Sequence, residues 1–134
     1  MNQTIPVRVS SVQVLRILLS GIFLVASINH LMEVEAIKKR IGAAAFKDLA
    51  YFFGEPETLI ILSGVIMLLA GILLLLGINT RWSSLVLLLV LLPITITIQI
   101  GQISTLGPLF KNIAIMGGLL FFIINPSFKK EKFQ

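Results

Sequence analysis

The sequence predicts an all-α membrane protein: an antiparallel bundle of four transmembrane helices, with a partly helical loop between the first and second. Three observations carry that expectation. First, 57% of the 134 residues are hydrophobic and 13% charged, with a mean hydropathy of +1.02; soluble domains carry about a quarter charged residues. A chain this short forms a single domain and cannot hide so much apolar surface in one core, so the expected solvent is lipid. Second, the apolar residues fall into four runs, each near the ~20 residues that cross ~30 Å of hydrocarbon. Third, the runs are continuously apolar rather than alternating, which excludes the strands of a β-barrel.

The first span is expected at about 12–32, with Arg16 close enough to its start to carry its charge to the interface. A cleaved signal peptide fits less well, because "LVASINHLM" lacks the small-x-small cleavage pattern and the apolar run is long. Glu57 precedes the second span, at about 58–79, which holds no charge. Arg81 separates it from the third, at about 82–103, and the fourth covers about 109–125. Pro126 and the "KKEK" of Lys129 to Lys132 bound the last span.

The connections differ in kind. "GINTRW" is a tight turn in which Gly77 and Asn79 can end a helix, so the second and third spans are antiparallel neighbours. The longer first connection carries Val34, Ile37, Ile41, Ala45 and Leu49 at helical spacing between charges. That pattern predicts an amphipathic helix on the membrane surface or capping the bundle, or an ordinary solvated loop helix. Pro93 should kink the third span near its middle. Thr95 and Thr97 stand ready to satisfy the freed carbonyls, and the kink would open a cavity nearby.

The formal net charge is +5. The basic residues lie at the ends of apolar runs, where they meet headgroups, and not on one soluble face, so nucleic acid is not an expected partner. Placing both termini inside puts Arg8, Arg16, Arg81 and the compact Lys129, Lys130 and Lys132 on the cytoplasmic side. Lys38, Lys39, Arg40, Lys47 and Lys111 then lie outside, most of them in a longer loop that also carries acids. The chain has no cysteine and one histidine. Thiol chemistry is excluded, no metal site is expected, and His30 offers at most one axial ligand to a haem.

Polar residues within the spans are informative, since each costs free energy unless partnered. Arg16, Ser20, Phe23, Ser27 and His30 share one helical face, as do Thr95, Gln99 and Gln102. Lys111, Ala114, Gly118 and Asn125 share another, so Lys111 is expected to point into the bundle above small residues that admit a neighbouring helix. Gly64 and Gly71 give the second span a similar surface. Any of these stripes can be simple packing glue. In an up-down-up-down bundle, however, His30, Glu57, Gln99, Gln102, Lys111 and Asn112 all fall at one membrane end, together with Glu33. They are the candidate ligand site: an imidazole, an ammonium, carboxylates and amides suited to a polar headgroup, a quinone-like carbonyl or a proton relay.

"RILLSGIFLVASINHLM", "LSGVIMLLAGILLLLGINTRWSSLVLLLVLLPITITI" and "LFKNIAIMGGLL", in that order, resemble the DoxX family of small four-helix bacterial membrane proteins. The matching positions include Arg16, His30, Gly71, Gly77, Arg81, Pro93, Lys111 and Asn112. The resemblance implies a multi-pass inner-membrane protein. Some relatives are named as the membrane subunit of a thiosulfate:quinone oxidoreductase or join oxidoreductase assemblies with soluble partners. Quinone is therefore the implied cofactor, and a soluble oxidoreductase subunit the implied partner besides the bilayer. Met67 stands where many relatives carry an acid, and Gln99 where some carry a His; both remove titratable groups. The other reading is a non-catalytic assembly, anchor or lipid-interacting protein, and a homo-oligomer is compatible with either. Small-solute transport fits less well, because four short helices leave little room for a gated path.

Overall fold

The structure is a computed structural model describing residues 3–125. Pro126 and the basic cluster at Lys129, Lys130 and Lys132, on which the expected orientation draws, lie outside the described residues. The helices are α1 (Val9–Met32), α2 (Val34–Gly42), α3 (Lys47–Phe53), α4 (Pro56–Leu76), α5 (Thr80–Ile94) and α6 (Leu106–Ile124). No strand occurs among the described residues. Four stretches are long and apolar enough to cross a membrane: Val9–Met32, Pro56–Leu76, Thr80–Gln99 and Ile103–Ile124. The predicted four-helix membrane fold is the one observed.

Helix ends follow local chemistry. Pro56 opens α4 at a position where a missing N–H leaves nothing unsatisfied. At its other end Gly77 adopts φ 74, and Ile78 and Gly77 donate their N–H groups to the carbonyls of Leu73 and Leu74 at 2.9 and 3.1 Å. Asn79 follows with φ 46, so both residues expected to turn the chain do so. The guanidinium of Arg16 lies over Gly77, leaving no room there for a side chain. A cation against the carbonyl end of α4 complements the helix dipole.

The expected loop helix is broken in two. Residues 43–46 interrupt it, so α2 buries Ile37 and Ile41 while within the break Ala44 is buried and Ala45 exposed. Ile37 and Ile41 meet Ile60 of α4 and Ala50 of α3, with Ile98 beside them, so the segment caps the bundle. The third span also departs from expectation. After Pro93 the helix passes into a π-helical turn, Thr95–Gln99, and ends there rather than near residue 103. Ile100 is extended and Gly101 turns the chain with φ 96. Thr95 Oγ1 donates to the Leu91 carbonyl at 2.7 Å, one turn back along its own helix, and not to the Leu89 carbonyl that Pro93 leaves free. A 3₁₀ turn, Ile103–Thr105, then leads into α6.

α4 is central, packed on α1 and α5, while α6 packs on α5 and touches α1 along a thin seam. Phe23, Leu74, Leu87, Leu119 and Phe122 form the shielded core. The α1–α4 approach depends on the glycine face of α4: a methyl on Gly64 would stand 3.0 Å from His30 Cβ, and one on Gly71 would stand 3.3 Å from Leu24. Gly118 makes the corresponding contact across the seam, against Leu19.

Gly64→Ala is therefore expected to destabilise the bundle by about 1–3 kcal/mol through overpacking. Gly117→Ala, where an added methyl meets nothing within 4 Å, should be near neutral. Thermal unfolding of both variants in the same detergent checks the contrast.

Candidate functional site

At the α2–α3 end of the bundle, α1 and α6 part around a cavity of about 250 Å³. His30 and Asn29 of α1, Gln99 of the π-helical turn, and Lys111 and Asn112 of α6 supply its polar walls, with Glu33 and Arg40 from the α2 segment. Phe23, Met67 and Ile115 form its apolar floor. Of the residues expected to cluster, His30, Gln99, Lys111 and Asn112 are brought together here.

Glu57 and Gln102 are not among these walls. Glu57 sits in the first turn of α4 on its exposed side and pairs with Lys38 of α2 at 3.8 Å. Both partners are about half exposed, where such a pair is worth little. Gln102 was expected to share a helical face with Thr95 and Gln99, but the helix ends before reaching it. Its Nε2 instead donates to the Ala43 carbonyl at 3.2 Å, tying the chain after the π turn to the α2–α3 connection.

The inward group on α6 is the amide rather than the ammonium. Asn112 is 4% exposed, whereas Lys111 is exposed at the rim. Asn112 Nδ2 donates to Thr95 Oγ1 at 3.0 Å, and Thr95 in turn donates to Leu91, so a buried polar chain runs from α6 into the disturbed turn of α5. A π turn inserts an extra residue per turn and commonly accompanies functional sites. Here it starts at Thr95 and carries Gln99 to the cavity wall. The side-chain oxygen of Gln99 is buried and without a hydrogen-bond donor among the described residues.

His30 is fixed from α4. Ser63 Oγ donates to the Ile60 carbonyl at 2.9 Å and stands 2.9 Å from His30 Nδ1. The ring is thereby held from α4 at its Nδ1 edge. The contact exists because Gly64, beside Ser63, lets α1 approach. Asn29, Arg40 and Ser63 were not singled out from the sequence. The signal for Ser63 was available: it is a hydroxyl next to a glycine in an otherwise apolar, uncharged run.

The pair Asn112–Thr95 should show a coupling of about 0.6–1.7 kcal/mol, the range for hydrogen bonds between membrane helices. A double-mutant cycle of Asn112→Ala and Thr95→Val, read by unfolding in detergent, measures it directly.

No curated protein and no solved structure matches the chain. The DoxX family model matches residues 11–100, from α1 through the π-helical turn, which takes in His30 and Gln99; Lys111 and Asn112 lie beyond the matched residues. That match covers most of the chain and accords with its four apolar helices, so this is an integral membrane protein of the DoxX family.

Proposed function

We propose that the chain is the membrane subunit of a quinone-linked oxidoreductase assembly of the bacterial inner membrane, with both termini inside. The observation that carries this reading is the cavity that brings His30, Gln99, Lys111 and Asn112 together over an apolar floor. Amides, an imidazole and a cationic donor around one cavity suit a head group that is a carbonyl in one redox state and a hydroxyl in the other. Lys111 would hold the carbonyl, and the amide of Gln99 and the imidazole of His30 would meet the hydroxyl. A quinone, when bound, supplies a two-electron, two-proton acceptor. A chain without cysteine and with one histidine leaves the electron source to a soluble partner, as the DoxX resemblance implies.

One observation favours the non-catalytic reading, an assembly or anchor protein. Met67 and Gln99, which stand where many relatives carry an acid and some a His, both line this cavity, so a thioether and an amide occupy those two positions.

Lys111→Met in the complex with its partner is expected to raise the KM for quinone about ten- to a hundredfold, as loss of a hydrogen bond to a charged group would. An unchanged KM, or no quinone reduction by the wild-type complex, favours the non-catalytic reading. Orientation is testable separately, since the chain lacks cysteine. A cysteine at Glu35 should react with a membrane-impermeant maleimide added outside intact cells, and one at Asn79 should not.

A further inference from the structure

A second cavity, of about 290 Å³, lies beside the first under α2 and α3. Ile41 and Ala50 cover it, Ile66 and Leu62 form its α4 side, and Pro93 with Val90 form its α5 side. Its walls are almost wholly apolar, and Pro93 places it beside the disturbance in α5 that the sequence led one to expect. Four residues line both cavities: His30, Ile37, Ile94 and Ile98. His30 and three isoleucines thus stand between a chamber with polar walls on an apolar floor and a chamber that is almost wholly apolar. The ring of His30 is held in that place by Ser63 on α4.

From this we infer that the two chambers form one bipartite site, which takes a ligand with a polar head and a single apolar chain. The head lies against Lys111 and Gln99, and the chain passes His30 into the apolar chamber between α3, α4 and α5. The inference rests on the proposed quinone-type head group and adds the seat of its tail. The apolar walls of the second cavity offer no hydrogen-bond partner to water. For a ligand already dissolved in lipid, moving a chain into such a chamber removes little apolar surface from water, so shape rather than hydrophobic transfer decides its position. A shaped chamber selects an unbranched or regularly branched chain attached to the head. The bulky paired chains of a phospholipid would not follow the head through the partition. His30 and the isoleucines at the junction then act as positioning residues, which set where head ends and tail begins.

The test is positional. The reconstituted protein is irradiated with a benzoquinone bearing a decyl chain that ends in a diazirine, and insertion sites are mapped by mass spectrometry. Insertion is expected at Ala50, Ile66 or Ile98, about tenfold or more above the lipid-facing Val25 and Ile113, the discrimination a shaped apolar pocket gives. Ile66→Trp, which fills the chamber, should abolish that labelling and leave Val25 unaffected. Ala50→Phe, filling it from α3, serves as the second variant. Labelling spread evenly over lipid-facing positions, or unaltered by both substitutions, overturns the inference. Excess benzoquinone without a tail should compete for the head and suppress chamber labelling. If it does not, while the chamber is still labelled and both variants abolish the labelling, the chamber stands as a chain site and the quinone-type head is overturned.

Discussion

The close approach of α4 to α1 at Gly64 is the constraint from which the site follows. Helices in lipid gain nothing from hiding hydrocarbon from water, so their association depends on tight contact and on hydrogen bonds. A glycine at this level brings the α1 backbone near enough for His30 to reach Ser63 across the interface. Without that reach, the imidazole would be an unpartnered polar group inside a span. With it, the ring is a fixed wall, and the cavities on either side keep distinct chemical characters. Gly71 repeats the approach further along, so the two helices remain in register from the site towards the opposite membrane end.

The second organising element is the irregular stretch after Pro93. A regular helix would have carried Thr95, Gln99 and Gln102 along one stripe. The π-helical turn and the extended residues after it separate them into three tasks. Thr95 joins α6 through Asn112, Gln99 faces the cavity, and Gln102 holds the connection above α3. Irregular backbone within the depth of a membrane is tolerated where its polar groups find partners in protein or line a cavity, and both conditions hold here.

Much of the architecture was legible in the sequence because lipid imposes strong rules. Span length, the absence of charge in the second run, and the helix-ending Gly77 and Asn79 each have one physical solution. The site was only partly legible. The up-down order of the spans puts His30, Gln99, Lys111 and Asn112 at one end of the bundle, where all four line one cavity. Helical periodicity could not foresee that the helix would lose its period after Pro93, which removed Gln102. Nor could it foresee that Glu57, in the first turn of α4, would face Lys38 of α2. The break at residues 43–46 was hidden for a similar reason: nothing in "GAAAF" marks Ala44 rather than Ala45 as the buried residue. The apolar chamber had no sequence signal beyond Pro93, because its walls are the same aliphatic residues that face lipid elsewhere.

Arg16 over Gly77 gives the bundle a sidedness. At that end Ser20, Leu74, Ser84 and Leu87 are fully shielded, and the guanidinium closes over the carbonyl end of α4. The cavities lie at the other end, beneath α2 and α3. The two ends of the bundle therefore differ in kind: one is closed by a charged side chain over a helix end, and the other is hollowed beside amides and a histidine.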